Sequence, residues 1–112
     1  MSQKTRNVET VTDYNMLVNQ TEKPVVIDFW APWCGPCQAL GQILEVAANQ
    51  LGDEAIVAKV NVDELHELAR ENSISSIPTL LYYAGGKIQH REGGIPQAEA
   101  IVSKVNTLSA TA

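Results

Sequence analysis

One stretch constrains the fold of this chain more than any other. Val25-Val26-Ile27-Asp28-Phe29-Trp30 is β-branched or aromatic at every position but Asp28. A run of that kind reads as a central strand buried on both faces. Only Ala31 and Pro32 separate it from Trp33-Cys34-Gly35-Pro36-Cys37. Beyond that, Leu40, Ile43, Leu44, Ala47, Ala48 and Leu51 recur at helical spacings, so Gln38–Leu51 reads as a long amphipathic helix. A buried strand feeding a helix through a cysteine-bearing turn belongs to a layered α/β architecture.

The rest of the chain extends that pattern. Val8 and Val11 fit a short first strand, and Thr12 or Asp13 fits the cap of a helix carrying Tyr14, Leu17 and Val18. Lys23-Pro24 breaks it. Gly52 ends the long helix at a natural stop. Ala55–Val62 reads as another buried strand, and Asp63 as the cap of a short helix with Leu65, Leu68 and Ala69. Ile77-Pro78-Thr79 leads into a strand over Leu80-Leu81-Tyr82-Tyr83. Gly85-Gly86 is a hairpin turn, and Lys87–Glu92 the returning strand. Pro96 lies near the start of a last helix carrying Ala100, Ile101, Val105 and Leu108. The expected order is β α β α β α β β α. The expected sheet is central and mixed, mostly parallel with a terminal antiparallel hairpin, and flanked by helices on both faces.

The 112 residues suit a single domain, 1–112, with an ordered core over about 5–108 and loosely held ends at Met1–Lys4 and Ser109–Ala112. Eight basic residues are scattered among thirteen acidic ones, for a net charge of −5. That balance supplies no basic face for nucleic acid. No apolar run near the start has the length of a secretory signal, and none approaches a membrane span. A cytoplasmic monomer is the expectation. Cys34, Cys37, His66 and His90 are the only Cys and His residues, and their spacing lacks the paired steps of a zinc site, so no metal is expected. Both histidines read as surface residues.

The two cysteines carry the chemistry. A helix N-terminus leaves unpaired N–H groups and a partial positive charge, which favour a thiolate at Cys34. Residues three apart on a first helical turn face the same side, close enough to be joined by a disulfide. One thiolate can therefore attack a foreign disulfide and the other can resolve the mixed disulfide. Gly35 permits the tight turn, and Pro36 suits a helix start. An inert cross-link is the competing reading. A loop this small constrains the unfolded chain little, however.

Val26–Cys37, Val57-Ala-Lys-Val-Asn-Val-Asp63 and Ile77-Pro78-Thr79 together resemble, in the right order, the signature of the thioredoxin family. The match runs from about Val11 to Leu108. A lowered thiol pKa in such a pair is a known property of that family rather than a result of the pattern here. The resemblance implies a thioredoxin-like fold and a protein-disulfide reductase with no tightly bound cofactor. It implies a flavin- and NADPH-dependent thioredoxin reductase as electron donor and disulfide-containing proteins as substrates. Cys34 matches the attacking thiol and Cys37 the resolving thiol. Asp28 matches a buried acid that relays a proton to or from Cys37, and Lys59 the lysine beside it. Pro78 matches a cis-proline next to the disulfide. Trp33, Ile77, Gly94 and Ile95 match the apolar surface that receives substrates.

Physical chemistry bears on these roles separately. A lone Asp in a buried strand is costly unless paired or neutralised, and burial raises its pKa. A merely hydrogen-bonded structural acid is the alternative for Asp28, a side chain snorkelling to water that for Lys59, and ordinary core that for Trp33. The chain departs from the family pattern at Gln38, where a basic residue is common, at Gly41-Gln42, where a proline is common, at Ser75-Ser76, and at the doubled Gly93-Gly94. These departures bear on partner preference and redox potential. The competing function is a binding module or chaperone-like subunit that uses the apolar face with incidental cysteines.

Overall fold

The computed structural model describes residues 4–111, with side chains described to Leu108. The expectations for Met1–Gln3, Ala112 and the Ser109–Thr111 side chains fall outside the described residues.

Five strands and four helices follow in the expected order. They are β1 (Arg6–Asn7), α1 (Val11–Asn19), β2 (Val25–Trp30), α2 (Gly35–Leu51), β3 (Ile56–Asn61), α3 (His66–Glu71), β4 (Thr79–Ala84), β5 (Lys87–Gly93) and α4 (Ala98–Thr111). The strands form one sheet in the order β1-β3-β2-β4-β5. β3 pairs in parallel with both β1 and β2. β4 runs antiparallel to β2 as well as to β5, so the antiparallel half reaches the centre of the sheet and not only its hairpin edge.

β2 is central because its side chains have apolar partners on both faces. Val26 packs with Leu40, Leu44 and Ala47 of α2 and with Ile101 and Val105 of α4. Val25, Ile27 and Phe29 point the other way, onto Tyr14 and Val18 of α1 and Leu68 of α3. The two-residue period of the strand meets the helical period of each layer, and both faces are covered. Leu40 and Leu44 are fully buried, and truncating either to Ala costs about 2–5 kcal/mol.

Several local expectations change. Val11 belongs to α1 and not to the first strand, which is Arg6–Asn7. The α1 cap is Thr10, whose hydroxyl accepts the Asp13 N–H, so the capping side chain lies ahead of Thr12 and Asp13. α2 starts at Gly35 and absorbs both Pro36 and Cys37 into its first turn. Proline at this position gives up no intrahelical bond. Asp63 caps nothing, since Leu65 precedes α3 without a side-chain cap. The last helix begins two residues after Pro96, at Ala98. His90 is half-buried against Tyr82, with ring centroids 5.5 Å apart. The Gly85-Gly86 hairpin stands as expected, with φ values of +63° and +78° that glycine adopts without strain. Gly52 closes α2 at φ +58°.

Candidate active site

β2 ends at Trp30, and the chain reaches α2 in four residues. Cys34 is the N-cap of α2. Its Sγ accepts the backbone N–H of Cys37 at 3.2 Å, so a helix-terminal donor points at the sulfur that would carry negative charge. Cys34 and Cys37 form a disulfide, with Cα atoms 5.2 Å apart. The structure is therefore the oxidised form. Both cysteines are buried in a small cluster with Ala31, packed by Trp30, Val62 and Ile77. Cys34, at 6% exposure, is the more accessible of the two.

Of the expected surface residues, Ile77 packs against the disulfide cluster and Trp33 directly precedes Cys34. Trp33 is 71% exposed, so the reading as ordinary core fails. Its indole N–H donates to both carboxylate oxygens of Asp63, at 3.0 and 3.2 Å. This is what Asp63 does in place of capping α3: it fixes the orientation of the ring beside Cys34. The Ile77–Pro78 peptide bond is cis, as the family resemblance implies. The Gly94 N–H donates to the Pro78 carbonyl at 3.4 Å, which joins the β5 end to the proline loop. Gly94 takes φ +87°, a conformation that favours glycine. Ile95 follows it and is exposed. Gln38 is exposed and donates through Nε2 to the Pro32 carbonyl at 3.2 Å, tying the first turn of α2 to the loop that precedes Trp33.

Beneath this surface lies the anomaly in β2. Asp28 is fully buried, and neither carboxylate oxygen has a hydrogen-bond partner. It shares the α2-facing side of the strand with Val26 and Trp30. Burial pushes its carboxyl up to about 7, while the positive charge of Lys59 pulls it down part of the way. An acid that titrates near neutrality can both hold and release a proton under working conditions. No protein group among the described residues hydrogen-bonds the Asp28 carboxylate. Lys59 pairs with Asp28 in the strand register. Its half-buried side chain places the ammonium 4.4 Å above the centre of the Trp30 ring, at the edge of an open cleft.

Sequence reasoning missed two of these features. The Trp33–Asp63 pairing joins residues 30 positions apart with no local signal. The Trp30–Lys59 stack had one, since Trp30 follows Asp28 by the two residues that keep a strand side chain on the same face. Among the described residues no cluster of three or more His, Cys, Asp or Glu side chains could hold a metal. No helix among them is long and apolar enough to cross a membrane.

A thiolate-ready sulfur at a helix terminus, a second sulfur within bonding reach, and a buried acid titrating near neutrality together suit disulfide exchange. The thioredoxin family model matches residues 5–107. The chain belongs to the thioredoxin family. It is 38% identical over 97 residues to a thioredoxin of Chlorobaculum thiosulfatiphilum, covering 87% of this chain and 90% of that one. Over 79 residues it is 42% identical to a bifunctional thioredoxin reductase/thioredoxin of Mycobacterium leprae, covering 69% of this chain and 17% of that one. Among solved structures it is similar to a mutant thioredoxin from Halobacterium salinarum, with a TM-score of 0.85 at 29% identity, covering 96% of this chain and 95% of that one. Like its relatives, this thioredoxin-family chain is a thiol–disulfide oxidoreductase, and Cys34 and Cys37 are its redox pair. A binding module with incidental cysteines is not favoured.

Proposed function

We propose that this chain works as a cytoplasmic electron carrier, monomeric and without a tightly bound cofactor. It takes electrons from a flavin- and NADPH-dependent thioredoxin reductase and passes them to disulfides of other proteins. The observation that carries this reading is the Cys34–Cys37 disulfide at the start of α2, beside the exposed Trp33. The fused reductase and thioredoxin of the Mycobacterium leprae relative supports such a donor. A reducing compartment suits a dithiol that must be regenerated after each turnover.

Two exchanges complete a turnover. The Cys34 thiolate attacks one sulfur of a substrate disulfide, forming a mixed disulfide and releasing the first substrate thiolate. Asp28 takes the proton of the Cys37 thiol. The Cys37 thiolate then attacks Cys34 Sγ, restores the Cys34–Cys37 disulfide and releases the second substrate thiolate. Two electrons pass to the substrate. The reductase returns them from NADPH. Trp33, Ile77, cis-Pro78, Gly94 and Ile95 form the surface on which substrate backbone docks, and Gly35 and Pro36 hold the turn between the sulfurs. Lys59 tunes the acid.

Insulin reduction tests the reading, with thioredoxin reductase and NADPH as the electron source. Catalysed, NADPH-consuming turnover is the expected result. A folded protein that leaves insulin oxidised under both dithiothreitol and reductase would overturn it.

A further inference from the structure

The position of Lys59 is unexpected for a lysine beside a buried acid. Asp28 and Lys59 are register partners on adjacent parallel strands, so their side chains rise from the same face of the sheet. A buried carboxylate is ordinarily compensated by the nearest cation and by hydrogen bonds. Here both Asp28 oxygens are left without a partner, and the ammonium of Lys59 lies on the Trp30 ring instead. The opposite side of the ammonium is bounded by α2 at Gly41. A Cβ there would stand 3.6 Å from Nζ, so a methyl would just touch and anything larger would intrude. Lys59 is thus held between an aromatic ring and a bare helix backbone, at the edge of a cleft of about 330 Å³.

We propose that Trp30 is a positioning residue: its ring holds the Lys59 ammonium away from Asp28, leaving that carboxyl free to take up and give back a proton. The surroundings of Asp28 support the assignment. Lys59 is the charged group that β3 brings to it, while β4 places the apolar Leu80 opposite. From α2 come Cys37, bound in the disulfide, and, at the outer cleft, Glu45. The Glu45 carboxylate is engaged with the Thr5 hydroxyl and the Lys4 N–H. α4 adds Ile101 and Val105, both apolar, to the core cluster that contains the neighbouring β2 residue Val26. Lys59 is therefore the cation able to change the state of Asp28, and where it sits decides by how much. An ammonium moved from the ring to direct contact with a carboxylate lowers its pKa by about one unit or more.

The inference rests on Asp28 as the proton-handling acid of the site, yet its test does not depend on turnover. The side-chain carboxyl of Asp28 is titrated by carbon NMR in the oxidised protein. Trp30→Leu, Trp30→Phe, Lys59→Met and the Trp30→Leu/Lys59→Met double variant are compared with the parent. Trp30→Leu is expected to lower the Asp28 midpoint by about one unit, and Trp30→Phe, which keeps a smaller ring, by less. In the Lys59→Met background Trp30→Leu is expected to produce no lowering. An unchanged midpoint in both Trp30 variants would overturn the proposal. So would an equal lowering with and without Lys59, which would mean that water entering beside the smaller side chain is the cause. If Trp30→Leu does not fold, the more conservative Trp30→Phe decides by the same criterion. Failure of Asp28 as a proton relay would appear in turnover and leave this titration as it stands.

Discussion

The Tyr14–Tyr83 pair on one face of the sheet and Asp28 on the other are buried polar groups treated in opposite ways. On the α1/α3 face, Tyr14 and Tyr83 bury their rings and join their hydroxyls to each other. The Tyr83 hydroxyl also donates to Asn72 Oδ1, and Asn72 Nδ2 donates to the Leu68 carbonyl. Burial pushes both phenols above their ordinary range, so they stay neutral. On the α2/α4 face, Asp28 is buried with no hydrogen-bond partner. A satisfied buried polar chain fixes packing, whereas an unsatisfied one costs stability and persists where chemistry needs it. The cost is bearable. Raising Asp28 from 3.8 to about 7 corresponds to about 4 kcal/mol for ionising it, similar to the loss of one core leucine side chain.

Substitutions on either face can break this contrast. The largest effect falls on activity. Cys34→Ser should drop disulfide turnover to the uncatalysed background, while Tyr14→Phe leaves turnover intact; an insulin assay on both variants checks the contrast.

Stability comes next, with opposite signs on the two faces. The folded protein holds the Asp28 proton up to about pH 7, while the unfolded chain releases it near 3.8. Between those values the folded state binds more protons, so stability falls as pH rises. Asp28→Asn removes that loss. It should gain up to about 4 kcal/mol at pH 8 and close to nothing at pH 4, read by denaturant unfolding at both pH values. The same variant should slow the resolving step more at neutral than at high pH, where a free thiolate forms without help.

The smallest effect belongs to the satisfied face. Tyr14→Phe removes one hydroxyl from a paired chain and should cost about 1 kcal/mol, with no pH dependence between 4 and 8. Equal signs for Asp28→Asn and Tyr14→Phe at pH 8 would erase the distinction between the faces.

Much of this was legible before any coordinates. The element order followed from β2, the CxxC turn and the amphipathic period of α2, because burial on both faces and a helical stripe leave few other architectures. Cys34 and Cys37 were legible from their spacing and context. Asp28 stood out because a carboxyl in an apolar strand conflicts with its neighbours. What escaped was set by tertiary contact. Asp63 looked like a cap, as an Asp ahead of a short helix should, but its carboxylate went to the Trp33 indole. Thr10 captured the cap expected two or three residues later because α1 begins at Val11, two or three residues earlier than its apolar positions suggest. The α2 boundary moved from Gln38 to Gly35 because the apolar stripe that marked the helix begins only at Leu40, while Pro36, already read as suited to a helix start, sits in its first turn. The strand period put Trp30 and Asp28 on one face, but it took the tertiary contact to decide which of them the Lys59 ammonium meets.

The most direct test of the central claim, that Cys34 attacks and Cys37 resolves, is trapping. Cys37→Ser protein is mixed with a protein disulfide substrate and examined by non-reducing mass spectrometry. A covalent adduct joined through Cys34, absent from Cys34→Ser, is the predicted result. An adduct that forms through Cys37 in Cys34→Ser and not through Cys34 in Cys37→Ser would contradict it.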